Sequence, residues 1–313
     1  MKAIFGVDIG GTEIKTGVFS EDCRLVEKWS VKTDLSDHGS NIIADVAAGI
    51  RAHMEQHGIG TEEVLGIGMG IPGPVDPSGY VKKCVNLNWN EFDPVAEMTK
   101  YFPNCKVAAG NDANVAALGE YYQGGGAGSS SMMMVTLGTG VGGGVIIDGK
   151  IIIGAHGLAG EVGHVSMNPS ETQNCNCGNK GCVDQCASAT GIVRHAKMML
   201  EEEETPSALR DIEELTAKDV CDCAKAGDDL AGRCIDRCME PLGLGLVCFS
   251  HAFDPEVYVI GGGVSNAGDL IVEAVRKGYK KHLYLLPEGA DIRLATLGND
   301  AGIVGACMLA AKG

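Results

Sequence analysis

Two segments of this chain, one beginning at Val7 and the other far along the sequence at Val135, share one layout, and this similarity constrains the fold more than any other feature. The first segment reads VDIGGTEIKTGVF, and the second reads VTLGTGVGGGVII. In each segment an apolar run, a turn of Gly and Thr, and a second apolar run predict two strands joined by a tight turn. Such a repeat is expected of a duplicated protein whose two domains bind a ligand in the cleft between them.

The two glycine-rich turns predict phosphate binding. Glycine lets successive N–H groups converge on an anion, and a Thr hydroxyl adds a further donor. Asp8 ends the first strand, where its carboxylate could hold Mg²⁺ through water. We therefore expect the two turns to grip the phosphates of a nucleotide; the alternative is a pair of tight hairpins without a ligand. The residues expected to bind the nucleotide and its metal are Asp8, Gly10, Gly11, Thr12, Gly138, Thr139, Gly140 and Gly142.

The second turn also matches a dinucleotide-binding motif, but its context excludes that interpretation. Gly138 to Gly143 fits G-x-G-x-x-G. This motif needs a helix directly after it, so that the pyrophosphate meets the helix N-terminus. Here residues 145–147 predict a strand, and Asp148-Gly149 predicts a two-residue hairpin turn. Neither turn ends in Gly-Lys-Ser/Thr, so a Walker loop is excluded as well.

Asn111 and Asp112 stand where a predicted strand gives way to a predicted helix. Phosphoryl transfer needs a carboxylate that accepts the proton of the attacking hydroxyl. Asp112 is the candidate for that base, and the Asn111 amide could hold neighbouring sugar hydroxyls. Capping of the helix is the alternative, because Asn and Asp are favoured N-cap residues.

One histidine and three cysteines that lie close together in the sequence predict a structural zinc site of the tetrahedral Cys₃His type. The four ligands are His164, Cys175, Cys177 and Cys182. A metal-bound imidazole keeps its other nitrogen as a donor of fixed tautomer, so His164 and the nearby Glu161 could read two sugar hydroxyls. Reduced thiols in a surface loop are the alternative. Four further cysteines are expected to be core thiols on helices: Cys221, Cys223, Cys234 and Cys238.

Length and charge limit the remaining choices. The chain has 313 residues, beyond the roughly 250–300 at which one core tends to split into two domains. Its net charge of -16 disfavours nucleic acid and anionic membranes as partners. The 13 cysteines, without a predicted signal peptide, favour reduced thiols and the cytoplasm. Residues 124–131 (GGGAGSSS) predict a flexible connector, so we expect one domain from 1–122 with 299–313 and another from 123–298.

Hydrophobic patterns place these residues on secondary structure. Strands are predicted at 3–9, 14–19, 64–69, 107–109, 132–137, 145–147, 150–153 and 257–260. Helices are predicted at 41–57, after 111–114 as far as about Tyr122, over most of 190–253, and at 301–312.

Together these motifs resemble the ROK family (repressors, open reading frames and sugar kinases), and the chain looks closest to its glucokinases. The resemblance runs from Ala3 nearly to the C-terminus. Its motifs are DIGGTxxK at 8–15, PGPVD at 72–76, NDAN at 111–114, LGTGVGGG at 137–144, ExGH at 161–164 and CxCGxxGC at 175–182.

The resemblance implies an actin-like, hexokinase-type fold with two α/β domains around a cleft, and a homodimer. It implies that Asp112 is the base, and that Asn111, Glu161, His164 and the backbone of Gly73 bind the sugar. It also implies zinc on the Cys/His cluster and ATP on the two loops. Lys15 closes the first loop motif, and Gly261, Gly262 and Gly263 would lie near the adenosine.

One position departs from the family pattern. Two residues after the last zinc cysteine the family usually has a Glu that reaches the sugar, and here Asp184 stands in its place. The expected activity is phosphorylation of the 6-hydroxyl of a hexose by ATP, with glucose as substrate. N-acetylmannosamine, N-acetylglucosamine, mannose, allose and fructose stay open as substrates, and polyphosphate as donor. A sugar-sensing regulator without catalysis, or an ATPase of the same fold, are the other interpretations; no DNA-binding segment is expected.

Overall fold

The computed structural model describes residues 2–285 and 288–313, and their contacts divide the chain into two compact units. The first unit contains the residues up to Gly128, with Gly144–Ala159 and Leu297–Gly313; the second contains Ser129–Gly143 and Gly160–Thr296. The division differs from the predicted boundaries at residues 123–128, 144–159 and 297–298. The hydroxyl of Tyr122 donates to the carbonyl of Gly149, which joins the tip of a hairpin to a helix of the first unit.

The first sheet carries the N-terminal half of the chain. The strands of this half are β1 (Ala3–Ile9), β2 (Glu13–Ser20), β3 (Leu25–Lys32), β4 (Val64–Ile71), β5 (Val81–Cys84), β6 (Trp89–Phe92) and β7 (Lys106–Asn111). Five of them form one sheet in the order β3-β2-β1-β4-β7, and β5 pairs with β6 alone. The predicted hairpin is confirmed, because β1 and β2 are antiparallel with Ile9 opposite Ile14. β1, β4 and β7 are parallel, so their carboxyl ends share one edge.

Helices cover this sheet. The helices of the chain are α1 (Ile42–His57), α2 (Pro94–Tyr101), α3 (Asp112–Gln123), α4 (Asp184–Ala187), α5 (Ala189–Glu202), α6 (Ala217–Lys225), α7 (Asp229–Phe253), α8 (Asp269–His282) and α9 (Ala301–Lys312). α1 buries Ile43, Ala47 and Ile50, a helical spacing that presents one apolar face. α9 contacts β1, β4 and α3 and is buried along nearly its whole length, which suits a helix with few polar residues. The predicted bounds of α9 are confirmed.

The second sheet has the order β10-β9-β8-β11-β12. Its strands are β8 (Ser131–Leu137), β9 (Val141–Ile147), β10 (Lys150–Ile151), β11 (Val257–Gly261) and β12 (Asp291–Leu294). β11 runs parallel to both β8 and β12, and β9 pairs antiparallel with β10. Asp148 and Gly149 both have positive φ, 49° and 75°, as the predicted two-residue hairpin turn requires.

Three local predictions were wrong. The turn expected over 138–144 covers only Gly138–Gly140, because β9 begins at Val141; Gly142 therefore lies in a strand. The strand expected over 150–153 ends at Ile151. The connector expected to be flexible folds back on α3 instead, since the N–H groups of Gly124 and Gly126 donate to the carbonyl of the fully buried Glu120.

Helices dominate residues 190–253, as predicted. Of the four cysteines expected there as core thiols, Cys221, Cys234 and Cys238 are buried and Cys223 is partly buried. Burial raises the pKa of the Cys221 thiol to about 11, which keeps it protonated and unreactive at neutral pH. None of the helices in the described residues is both long and apolar enough to cross a membrane.

Candidate active site

Asp8 occupies the carboxyl end of β1, opposite Lys15 on β2. Burial raises the pKa of the Asp8 carboxyl, and the charge of Lys15 opposes that rise. Space for the carboxylate depends on α9. A Cβ at Gly302 would lie 2.6 Å from Cγ of Asp8, so only glycine fits there. The sequence thus places a partly desolvated carboxylate, a ligand type that hard divalent cations prefer, beside the first glycine-rich turn.

The first turn, Gly10–Thr12, is held by Thr33, which directly follows β3. The Thr33 hydroxyl donates to the carbonyl of Gly10 at 2.6 Å, and the Thr33 N–H donates to the carbonyl of Thr12 at 3.0 Å. Within the described chain the N–H groups of Gly11 and Thr12 make no hydrogen bond. The turn therefore keeps donors available for an anion while its carbonyls are tied down.

Asn111 and Asp112 lie at the same sheet edge, where β7 leads into α3. Asn111 is the N-cap of α3, and its Oδ1 accepts from the N–H of Asn114 at 3.1 Å. Its Nδ2 donates to Oδ1 of Asp112 at 2.9 Å and to the carbonyl of Gly73 at 3.0 Å. Both hydrogens of the amide are thus used inside the protein. Capping and a role in the site are compatible, because this geometry fixes the Asp112 carboxylate.

The Asp112 carboxylate is set up to accept a proton. Its Oδ1 also accepts from the N–H of Ala113 at 2.8 Å, which leaves Oδ2 outside these bonds. Burial raises the pKa of Asp112, the N–H of Ala113 opposes the rise, and the negative charge of Asp8 adds to it. A carboxylate with a raised pKa is a stronger base than one in water.

The second turn, Gly138–Gly140, is held by the residues around α4 and α5. The N–H of Ala189 donates to the carbonyl of Gly138 at 2.8 Å, and the Thr190 hydroxyl donates to the carbonyl of Thr139 at 3.0 Å. The carbonyl of Gly140 accepts from the N–H of Gly138. In the part of the chain that the structure describes, no hydrogen bond uses the N–H groups of Thr139 and Gly140. Like the first turn, this one keeps donors free.

Asp184 contacts the second turn. Its Oδ1 accepts from the N–H of Val141, the first residue of β9, at 2.7 Å. One carboxylate oxygen of the residue expected to reach the sugar is therefore engaged with the backbone just after the second turn, and Oδ2 lies outside this bond. Sequence reasoning missed this contact, since nothing in the motif spacing indicates that residues 141 and 184 meet.

A cavity of about 570 Å³ borders the second turn. Gly138, Thr139 and Gly263 line it together, so the structure brings two of the predicted nucleotide-binding segments to one cavity. Gly262 separates β11 from the short turn that starts at Gly263, with φ of 84°. The remaining wall comes largely from α6 and was not predicted: Thr216, Ala217, Lys218, Cys221, Asp222 and Lys225. The amphipathic pattern of α6 was the available signal, but it does not indicate what its polar face borders.

The four predicted zinc ligands lie together in the second unit. One ligand atom from each of His164, Cys175, Cys177 and Cys182 lies within 4.8 Å of the others. The sulfurs of Cys177 and Cys182 are 3.7 Å apart, and Sγ of Cys175 is 3.8 Å from Nδ1 of His164. Two sulfurs on a tetrahedral zinc with bonds of about 2.3 Å are about 3.8 Å apart. These residues therefore fit a zinc ion.

The electrostatics of this cluster favour a cation. Burial and the neighbouring thiols raise the pKa of Cys182 to about 12, since several thiolates cannot share this space without a compensating positive charge. Nδ1 of His164 points at the cluster, so Nε2 is the ring nitrogen outside this contact. Glu161 lies exposed just before the short turn that carries His164. A Cβ at the intervening Gly163 would lie 2.1 Å from the carbonyl of Val141, so this turn packs against the start of β9.

The chain is similar to known proteins over nearly its whole length. The profile of the ROK family matches residues 4–313. The glucokinase of Halalkalibacterium halodurans is 39% identical over 307 residues, covering 96% of this chain and 92% of that one. The N-acetyl-D-glucosamine kinase of Vibrio cholerae is 32% identical, with 98% and 99% covered. The crystal structure of a ROK family glucokinase from Streptomyces griseus in complex with glucose and AMPPNP is 33% identical, covers 99% of this chain and 100% of its own, and superposes with a TM-score of 0.76.

Proposed function

This chain belongs to the ROK family, and we propose that it is an ATP-dependent hexose kinase of the glucokinase type, which transfers the γ-phosphoryl group of ATP to the 6-hydroxyl of glucose. The predicted family and the predicted actin-like α/β fold are confirmed by the profile match and by the solved ROK glucokinase. The expected ATP-dependent hexose kinase agrees with the glucokinase relatives. The observation that carries the mechanism is the Asp112 carboxylate, held by two donors and raised in pKa at the start of α3.

In the proposed reaction Asp112 accepts the proton of the 6-hydroxyl as its oxygen attacks the γ-phosphorus. The bond from that phosphorus to the bridging oxygen of ADP breaks, and ADP leaves with the electron pair. Asn111 acts as a positioning residue, because both of its amide hydrogens hold the protein rather than the sugar. One lone pair of its Oδ1 remains for a sugar hydroxyl.

ATP binds through the N–H groups of the two glycine-rich turns and the cavity beside Gly263. Gly10, Gly11, Thr12, Gly138, Thr139 and Gly140 contact phosphate, with Gly142 behind them in β9. Gly261 and Gly262 shape the end of β11, where the adenosine is held, and Lys15 keeps a positive charge beside Asp8. The Asp8 carboxylate suits a Mg²⁺ ion held through water. When bound, that ion neutralises charge on the transferring phosphate.

The sugar is held by the side chains of Glu161, His164 and Asp184 and by the backbone at Gly73. A zinc ion on His164, Cys175, Cys177 and Cys182 would close the coordination sphere and so act structurally. It would fix the ring of His164, leaving Nε2 as a hydrogen-bond donor of defined tautomer. The ion thus supports sugar binding without taking part in phosphoryl transfer.

N-acetylglucosamine is the second candidate substrate, because a kinase for that sugar is 32% identical over nearly the whole chain. The shorter Asp184, in place of the family's usual Glu, bears on this choice. N-acetylmannosamine, mannose, allose and fructose, polyphosphate as donor, and a regulator that binds sugar without catalysis are the other candidates. We further propose a cytoplasmic, glycolytic homodimer.

A coupled assay of ADP release over a panel of sugars tests this function. Glucose is expected to give the highest kcat/KM with MgATP, and zinc is expected at one equivalent in the same sample. Asp112→Asn should lower kcat by about 10²–10⁴-fold, because it removes the base and keeps the volume. The matched control is Asp254→Asn, which removes an exposed-loop carboxylate outside the site. Near-normal turnover in Asp112→Asn would remove Asp112 from the role of base, and ADP release without sugar would favour an ATPase.

A further inference from the structure

A second cluster of metal-ligating side chains lies in the first unit and takes no part in the proposed reaction. It consists of Glu27 on β3 with His53 and His57 on α1. One ligand atom from each lies within 4.8 Å of the others. Oε2 of Glu27 is 3.4 Å from Nε2 of His57 and 3.8 Å from Nδ1 of His53. We name this set the Glu-His cluster.

The local sequence brings these three residues together. His53 and His57 are four residues apart, so they lie on one face of α1. Glu27 and Trp29 are two residues apart on β3, so they lie on one face of the sheet. The indole of Trp29 stacks on the imidazole of His53, with ring centroids 4.9 Å apart and planes 9° apart. Phe5 meets the same imidazole edge-on. His53 is therefore a fixed ligand donor, with only 9% of its surface exposed.

Access and charge are suitable for a cation. The side chains of Glu27 and His57 are 50% and 40% exposed, so an ion can reach the cluster and water can complete its coordination. Over residues 2–285 and 288–313, the ion pairs of Glu27 are those with these two imidazoles. No Lys or Arg in that part of the chain competes for its carboxylate. The net charge of -16 raises the local concentration of divalent cations around the protein.

We propose that the Glu-His cluster is a binding site for a divalent transition-metal ion of the Zn²⁺ and Ni²⁺ type. Two imidazoles and one carboxylate suit these ions, whereas Mg²⁺ and Ca²⁺ prefer oxygen ligands alone. Ligand atoms about 2.1 Å from a tetrahedral ion are about 3.4 Å from one another. The Glu27 oxygen lies 3.4 and 3.8 Å from the two imidazole nitrogens, close to that spacing. The two imidazoles stack on each other, with centroids 4.2 Å apart and planes 19° apart, so the half-exposed ring of His57 must turn for both rings to bind one ion.

Binding there would join the edge strand β3 to α1. β3 leads directly to Thr33, the residue that holds the first glycine-rich turn. A metal ion on Glu27 and the two histidines would therefore stabilise the first unit without contacting a substrate. This role differs from that of the Cys/His cluster, which lies in the second unit and offers three thiols.

Titration of the zinc-loaded enzyme with Ni²⁺ tests the proposal. Calorimetry should show one saturable equivalent, and the fluorescence of Trp29 should be quenched, because its ring stacks on a ligand. His57→Gln and Glu27→Gln should each weaken Ni²⁺ binding at least about tenfold, the lower bound for loss of even an outer-shell partner. His251→Gln removes an exposed histidine on α7 and is the matched control; it should bind as the parent does. Ni²⁺ should raise Tm in the parent and the control and leave His57→Gln unchanged.

Several results would overturn the proposal. Saturable Ni²⁺ binding that is equal in the parent and in both cluster variants would place the ion elsewhere. Displacement of zinc with the absorption of a nickel thiolate would place it on the Cys/His cluster. If the parent enzyme has normal circular dichroism and kinase activity but shows no saturable Ni²⁺ binding, the Glu-His cluster is not a metal site. It would then be only a set of ion pairs and stacked rings. Glu27 and His57 are half-exposed, so at least one variant is expected to fold, and kinase activity on the same samples reports that folding independently of metal binding.

Discussion

The two glycine-rich turns share a sequence layout but are supported by different surroundings. Gly10–Thr12 is held by the neutral Thr33 and by the carbonyl of Glu13, which accepts from the N–H of Gly10, and it adjoins the partly buried carboxylate of Asp8. Gly138–Gly140 is held by the start of α5 and by the carboxylate of Asp184, and it borders a cavity of about 570 Å³. Where the first segment has Asp8, the second has Thr136.

This difference shows how a repeated element divides its chemistry. In both copies a strand-turn-strand hairpin ties the turn's carbonyls inward and leaves N–H groups for an anion. Each turn borders a cavity, of about 530 Å³ at the first and about 570 Å³ at the second. The carboxylate beside the first turn, Asp8, belongs to the strand that enters that turn, whereas the carboxylate at the second turn, Asp184, comes from α4. The duplicated backbone thus leaves N–H groups without a partner at both turns of the described chain, while the charged residues around the two turns differ.

The largest effect is expected from removing the charge that only the first copy has. Asp8→Asn should lower kcat by about 10²-fold or more, because a carboxylate that helps to organise the phosphates is lost. Thr136→Val changes the corresponding position of the second copy and should lower kcat by far less. Steady-state kinetics with varied Mg²⁺ measures both. Equal losses in the two variants would contradict a division of roles between the turns.

A smaller effect is expected from loosening either turn. Asp184→Ala removes a charge-assisted hydrogen bond to Val141, worth about 1.5–3 kcal/mol, so the KM for MgATP should rise about tenfold or more. Thr33→Val makes the matched change at the first turn, where a neutral bond is lost and the rise should be smaller. Measuring the KM for MgATP and the KM for glucose distinguishes a role of Asp184 in nucleotide binding from a role in sugar binding. An increase confined to the KM for glucose would assign that residue to the sugar alone.

The proximity of Asp8 to the base predicts a change in pH dependence. Asp112 must be unprotonated to accept a proton, so activity falls as the pH drops through its raised pKa. The charge of Asp8 contributes to that rise, so Asp8→Asn should move the acid limb of kcat/KM to lower pH. Thr136→Val should leave the limb in place. The pH profiles of the parent, Asp8→Asn and Thr136→Val check this prediction. An acid limb that stays in place in Asp8→Asn would show that the charge of Asp8 does not influence the pKa of Asp112.

The smallest effect concerns an ion pair of α5, the helix whose first residues hold the second turn. Arg194 on α5 donates to Glu171 and to the carbonyl of Gln185, and it lowers the pKa of Glu171 to about 2. A depressed pKa means that this stabilisation is present above the unfolded value of about 4.5 and is lost as the pH falls towards 2. Glu171→Gln should cost about 1–3 kcal/mol at neutral pH.

Thermal unfolding at pH 6 and at pH 3.5 measures this contribution. The difference in Tm between parent and Glu171→Gln should shrink at the lower pH. At pH 3.5 the native Glu171 is still ionised, but the unfolded chain of the parent takes up a proton there, and this stabilises the unfolded state. Lys218→Gln, which removes an exposed pair with Asp222 on α6, is the control and should change Tm little at either pH. A constant difference at both pH values would show that the Glu171 charge does not matter to stability.

Local patterns were enough to predict the elements that carry the site, and distant contacts explain what was missed. α9 and the β1–β2 hairpin follow from apolar runs bounded by turn residues, signals that lie within a few residues of each other. The four residues of the Cys/His cluster lie close in sequence, and their spacing predicted that they would meet. In contrast, the hydrogen bond from the N–H of Val141 to Asp184 joins residues 43 positions apart, so no local pattern predicts it.

The same reason applies to residues 124–131, which were expected to form a flexible connector and instead fold back on α3. Residues 124–126 are glycines, which favour no conformation by themselves, and the buried Glu120 that holds them has no local signal for burial. Likewise, β9 begins earlier than expected because pairing in a sheet, rather than glycine propensity, decides where a strand starts. The side chains on α6 that line the cavity could be predicted as an exposed helix face, but not as the wall of a pocket.

The last helix has a consequence for folding during synthesis. Ile303, Val304 and Cys307 on α9 are buried in the first unit, beside β1 and β4, which are made near the start of the chain. All residues of the second unit precede α9 in the chain. On the ribosome the second unit can therefore complete its core while the sheet of the first unit still lacks its cover. The part of the protein that is synthesised first is therefore expected to finish folding last, because its apolar strands lack α9 until the end of synthesis.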